Sequence, residues 1–131
     1  MARILVVDDD AAVRQGIELL LEDAGHQVVG TADGRSGLHA ASEQPFDLVI
    51  VDIFMPGMDG LEAIRNFHQV LPRVPIIAMS GFMFRTASAL TPDFLAMASK
   101  LGAACSLPKP FKPEELLGAV QLCLPPNRAA T

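Results

Sequence analysis

Three aspartates in a row, Asp8-Asp9-Asp10, follow the apolar run Ile4-Leu5-Val6-Val7, and a fourth, Asp52, follows the run Leu48-Val49-Ile50-Val51. Ser80 closes a third run, Ile76-Ile77-Ala78-Met79, and Pro108-Lys109-Pro110 follows a short apolar stretch at 105–107. Such residues do chemistry together only if the fold gathers them. Gathered carboxylates repel: at ~4 Å each like pair costs about 1 kcal/mol in water and about 4 at an effective dielectric of 20. A divalent cation is the natural compensation. An all-oxygen donor set with few carboxylates suits Mg²⁺, which keeps several of its waters. The cation and Lys109 would together balance the charges of Asp8, Asp9 and Asp52, leaving a neutral site poised for an anionic phosphoryl group. Taken singly, each residue has an ordinary explanation. Asp10 is best read as the N-cap of the first helix, Asp52 as a loop aspartate, Ser80 as a turn serine and Lys109 as a solvated lysine. Their joint placement after four apolar runs is what carries the functional reading.

The elements that would position them alternate. Ile4-Leu5-Val6-Val7 is a continuous β-branched-rich run, the mark of a strand buried on both faces. Val13, Ile17, Leu20, Leu21 and Ala24 then recur at helical spacing, and Gly25 closes the helix. A short strand is predicted over 27–31 and a weaker helix over 35–43, with Leu38 and Ala41 inward. The third strand ends at Asp52, and Leu61, Ile64, Phe67, Val70 and Leu71 mark the next helix. After the fourth strand, Thr91-Pro92-Asp93 has the form of a helix start, ahead of Phe94, Met97, Ala98 and Leu101. A short fifth strand follows at 105–107. Pro113-Glu114-Glu115 opens the last helix, with Leu116, Leu117, Val120 and Leu124 inward. Five strand–helix units in one chain of 131 residues predict an α/β three-layer sandwich around a parallel sheet. In such sheets ligands bind beyond the carboxyl ends of the strands, where the polar residues above fall.

Composition narrows the function. The chain is 50% hydrophobic and 19% charged, which fits a folded domain and excludes a disordered one. Its net charge of -5 and the absence of any Lys/Arg cluster argue against nucleic acid or an anionic membrane as partner. No apolar stretch is long enough for a signal peptide or a membrane span, so a cytoplasmic location is expected. Cys105 and Cys123 lack paired spacing and read as free buried thiols. No G-x-G-x-x-G follows the first strand, which disfavours a dinucleotide site.

These motifs resemble the response-regulator receiver domain of two-component signalling, of the stand-alone chemotaxis type. The resemblance rests on Ile4-Leu5-Val6-Val7-Asp8-Asp9-Asp10, on Asp52-Ile53-Phe54-Met55-Pro56-Gly57-Met58-Asp59-Gly60, on Ser80-Gly81 and on Lys109-Pro110-Phe111. It implies a flavodoxin-like fold with strand order 2-1-3-4-5 and Asp52 as the phosphoacceptor. It implies Asp9 as a direct Mg²⁺ ligand, Asp8 acting mainly through water, and the Phe54 backbone carbonyl as a further ligand beside Asp52. Lys109 and the Ser80 hydroxyl would contact the phosphoryl oxygens, and the Lys109-Pro110 bond is often cis in the family. The partners implied are a histidine kinase or phosphotransfer protein and a downstream protein target. The chain would be a signalling module and not an enzyme, beyond weak self-phosphorylation and self-dephosphorylation. Residues 1–124 are read as the receiver and 125–131 as a short tail, with no output domain.

Two departures from the family stand out. Many receivers carry Tyr or Phe three residues before the lysine, where this chain has Ser106. The stretch from Ser80 to Lys109 is also longer than usual, and the extra length is assigned to residues 81–90, which carry Phe82, Met83, Phe84 and Leu90. These four either patch the core or form a partner surface or lid. Ser80 with Phe84 is the candidate switch, replacing the absent strand-5 aromatic. An aspartyl-phosphate phosphatase of the haloacid-dehalogenase type is the competing reading, with Asp8 as nucleophile. It is weakened by Ala12, where that pattern has Thr or Val, and by the lack of room for a cap domain. A degenerate scaffold receiver is disfavoured by the intact Asp9, Asp52, Ser80 and Lys109. Phe54 and Phe82 stand two residues after Asp52 and Ser80, positions that in the family flank the path of the attacking water. Aromatic rings there exclude water and cannot orient it. Phe54→Asn and Phe82→Glu are therefore expected to shorten the lifetime of the phosphorylated state several-fold, read as loss of label over time; unchanged or slower decay in both refutes the shielding.

Overall fold

The computed structural model describes residues 2–53, 60–80, 103–108 and 111–124, with the backbone alone at 60, 61, 80 and 108. The expectations for Phe54, Phe82, Phe84, residues 81–90, the helix start at Thr91 and Lys109 lie outside these residues. The described elements are β1 (Arg3–Val7), α1 (Ala11–Asp23), β2 (Gln27–Thr31), α2 (Gly34–Glu43), β3 (Leu48–Asp52), α3 (Gly60–Val70), β4 (Ile76–Ser80), β5 (Ala103–Pro108) and α4 (Pro113–Cys123). All strand pairs are parallel, and the sheet order is β2-β1-β3-β4-β5, the order that the family resemblance implies.

Alternation along the strands divides the interior into two cores. Leu5, Val7, Val49, Val51, Ile76 and Ala78 face one side and pack with Ala41 of α2 and with Ile64 and Phe67 of α3. Ile4, Val6, Leu48, Ile50, Ile77 and Met79 face the other and pack with Ile17 and Leu21 of α1 and with Leu116 and Val120 of α4. Every residue of β3 is buried, as its unbroken apolar run requires. Among the described residues the helical stripes hold with two exceptions: Ala24 and Val70, expected inward, are exposed. Ala24 is the C-cap of α1 and Val70 the last residue of α3.

Local signals set the ends of α1. The Asp10 carboxylate accepts from the Ala12 and Val13 N–H groups at 3.0 and 3.2 Å, the capping role expected for it. At the other end Gly25 adopts φ 96°. Its N–H donates to the Glu22 carbonyl at 3.0 Å, and the His26 N–H donates to the Leu21 carbonyl at 3.0 Å. This is the Schellman closure, and its left-handed residue favours glycine. α4 starts differently: the Glu115 carboxylate reaches back to the Lys112 N–H at 2.7 Å.

Gly37 carries a packing role that periodicity does not reveal. A Cβ there would stand 2.8 Å from Val7 Cγ2 and 3.0 Å from Phe67 Cζ, whereas at Gly16 it would meet nothing within 4 Å. Both glycines are helical, so alanine offers each about 1 kcal/mol of propensity. At Gly37 overpacking opposes it by about 1–3 kcal/mol. Gly16→Ala should raise the thermal midpoint and Gly37→Ala should lower it; the same response in both would contradict the close approach of α2 to the sheet.

Candidate functional site

The carboxyl ends of four adjacent strands form the site's floor. Val7 pairs with Val51, Asp52 with Met79, and Ser80 with Pro108. The residues that follow β1 and end β3 are therefore side by side, and the backbones of Ser80 and Pro108 continue the row. Asp8 is fully buried and Asp52 is 5% exposed, while Asp9 is exposed. One carboxylate oxygen from each of the three lies within 4.8 Å of the others. The acids flagged by the sequence are thus brought together, apart from Asp10, which turns aside to cap α1.

Asp8 is fixed on several sides. Its N–H donates to the Thr31 carbonyl at 3.1 Å, which extends the β1–β2 ladder by one residue. Its Oδ1 accepts the Asp10 N–H at 2.9 Å. Its carbonyl accepts from Arg14 Nη1 at 2.7 Å. Arg14 is the site-forming residue that the sequence reading passed over. It stands at 14, one residue after the apolar Val13, and nothing in the helical periodicity distinguishes it from a solvated arginine. Gly30 on β2 leaves the space: a Cβ there would collide with the Glu18 carboxylate and come within 3.3 Å of Arg14 Cδ.

Buried carboxylates stay ionised only against compensating charge or hydrogen bonds. The ligand set that Asp8, Asp9 and Asp52 offer is all oxygen. Such a set matches Mg²⁺ better than Zn²⁺ or copper, which favour nitrogen and sulfur. Asp8 already spends one oxygen on a backbone N–H, so exposed Asp9 is the freer ligand. Ser80, Pro108 and Ser106 fall on the same sheet edge: Ser106 pairs with Ala78 and is exposed. No aromatic ring occupies that position of β5. No helix among the described residues is long and apolar enough to cross a membrane.

The profile of the response regulator receiver domain matches residues 4–121. The chain belongs to that family. The receiver is 36% identical over 124 residues to the response regulator receiver protein CpdR of Brucella abortus, covering 95% of this chain and 98% of that protein. It is 33% identical to the uncharacterized transcriptional regulatory protein YkoG of Bacillus subtilis, covering 98% of this chain and 53% of that protein. It also resembles, at 39% identity, a protein-glutamate methylesterase/protein-glutamine glutaminase of Rhodospirillum centenum, matching 89% of this chain but only 29% of that protein. The receiver thus spans about half of the former's length and under a third of the latter's. Among solved structures, the chemotaxis protein CheY4 of Vibrio cholerae superposes with a TM-score of 0.83 at 34% identity, covering 95% of this chain and 99% of that one. A receiver domain protein from Clostridium thermocellum gives 0.84 at 28% identity, with full coverage of both chains. Receiver domains are signalling modules that bind Mg²⁺ at an acidic pocket, and Asp8, Asp9 and Asp52 form such a pocket here. Family membership sets the phosphatase reading aside.

The geometry ranks the three N-terminal acids. Asp9→Ala should weaken Mg²⁺ binding by about tenfold or more, since even outer-shell partners of a metal are worth that much. Asp8→Asn should weaken it less. Asp10→Ala should leave it nearly unchanged while lowering stability by about 1 kcal/mol through the lost cap. Isothermal titration with Mg²⁺ and denaturant melts would check this, and a larger affinity loss at Asp10 than at Asp9 would overturn the ranking.

Proposed function

We propose that this receiver accepts a phosphoryl group on Asp52 from a histidine kinase or phosphotransfer protein and signals by altered protein–protein binding. The observation that carries the reading is the buried Asp52 at the end of β3, its carboxylate within 4.8 Å of those of Asp8 and Asp9. The Asp52 carboxylate attacks phosphorus in line, forming an O–P bond as the donor's N–P bond breaks, and the leaving imidazole keeps the electron pair. Catalysis of such a transfer is mostly positioning and charge stabilisation. Asp8, Asp9, Asp52 and the Phe54 carbonyl would hold Mg²⁺, which would supply neutralisation of the phosphoryl charge. Lys109 pairs with one phosphoryl oxygen, and the Ser80 hydroxyl donates to another.

Arrival of about two negative charges draws Ser80 and Lys109 inward. With Ser106 too small to follow, the response passes from Ser80 into residues 81–90, with Phe84 as the anchor that changes packing. Residues 1–124 act as the receiver, in the cytoplasm, by binding and not by turnover. Nothing in the charge or composition favours nucleic acid or membrane as the target.

The test is direct. A small-molecule phosphodonor with Mg²⁺ should add one acid-stable, base-labile phosphoryl group, mapped to Asp52 by mass spectrometry, and Asp52→Asn should abolish it. A variant that labels to the wild-type extent, or a label mapped to Asp8, would defeat the assignment.

A further inference from the structure

The sequence reads Cys105 and Cys123 as free buried thiols; they are free, but only partly buried. The fold nevertheless brings them into contact. The Cys123 thiol donates to Cys105 Sγ at 3.2 Å across a separation of 18 residues. They sit on different elements. Cys105 is in β5, paired with Ile77 of β4, and Cys123 is the last residue of α4. Both pack at the margin of the core formed by Ile77, Leu107, Leu116 and Val120, and both are only half-buried. Cysteines serving as small core hydrophobes need no sulfur–sulfur contact and are usually fully enclosed. Here two sulfurs meet on residues that are each partly exposed.

We propose that Cys105 and Cys123 are a reversible disulfide site that staples edge strand β5 to the end of α4. A disulfide needs sulfurs about 2.05 Å apart, so closure asks for roughly 1.2 Å of movement, within reach of side-chain rotation and fraying of a helix's final residue. The oxidant is a low-molecular-weight disulfide. One protein thiolate attacks it, forming a mixed disulfide and releasing one small thiol. The second protein thiolate then attacks the protein sulfur of that mixed disulfide, forming the Cys105–Cys123 bond and releasing the second small thiol. The two protein thiol protons end on the two released thiols, so atoms and electrons balance. Burial and the neighbouring Cys105 thiol push the Cys123 thiol up to about 12, which keeps it protonated near neutrality and makes closure slow. The staple would fix β5, which ends at Pro108, relative to α4.

The test uses the full chain and glutathione disulfide. After incubation, maleimide labelling and non-reducing mass spectrometry should show a monomer lacking two hydrogens, with both thiols protected and a Cys105–Cys123 cross-linked peptide. Its thermal midpoint should lie several degrees above that of the reduced chain and return on adding dithiothreitol. Cys123→Ser should stop at a mixed disulfide on Cys105. Two thiols that still label fully in the wild-type chain, a mixed disulfide that persists in it, or a covalent dimer in place of the internal bond would each overturn the proposal. None of these readouts involves phosphorylation, so the site stands or falls apart from the assignment of Asp52.

Discussion

Two carboxylates enclosed side by side are the constraint around which this receiver is organised. Asp8 follows β1 and Asp52 ends β3, and the pairing of Val7 with Val51 puts them in neighbouring positions. Both are almost wholly shielded from water. Bringing like charges together in a poorly screened setting is costly, and much of the local structure can be understood as offsetting that cost. The Asp10 N–H is directed at Asp8, Arg14 is drawn back onto the Asp8 carbonyl, and Gly30 gives Arg14 and Glu18 room to lie over β2.

The division of the sheet into two cores serves the same end. α1 and α4 cover one face while α2 and α3 cover the other, so the strands are held from both sides and their polar ends open at a single edge. Asp10 illustrates the economy of the arrangement. It belongs to the acidic triplet by sequence, yet its carboxylate serves the Ala12 and Val13 N–H groups, and its own N–H serves Asp8.

Much of this could be read in the residues beforehand, and the reasons are physical. β1, β3 and β4 are unbroken apolar runs, and such runs become strands only where both faces are covered, which gives the parallel sheet. The acids after β1 and β3 were legible because the chain ends each run with a change from branched aliphatic to carboxylate. Gly25 and Asp10 announced the ends of α1 through local chemistry. What escaped reading depends on contacts between elements distant in sequence. Gly37 is indistinguishable from Gly16 until Phe67 and Val7 are known to lie against it. Arg14 looks like any exposed helical arginine until the turn after β1 comes within its reach. Cys105 and Cys123 meet only because α4 packs across β4 and β5. Strand order came from family resemblance, since periodicity alone does not dictate which strands are neighbours.

The full burial of β3 has a consequence for how the chain finds its alignment. A strand with one wet face is held in place by alternation, because a slip of one residue would turn its apolar side chains outward. β3 has no such guard: Leu48, Val49, Ile50 and Val51 are apolar without interruption, and a slipped strand would bury nearly as much. Its alignment must come from its ends. At one end the Asp47 carboxylate accepts the Arg3 N–H at 2.8 Å, while the Asp47 N–H donates to the Arg3 carbonyl at 2.7 Å. At the other end Asp52 is admitted only at the polar edge, since one step inward would set its charge between Val7 and Ala78, the present partners of Val51. The acid proposed to take the phosphoryl group therefore doubles as a stop that tells the central strand where to halt, and a neutral apolar residue there would loosen the threading of the sheet.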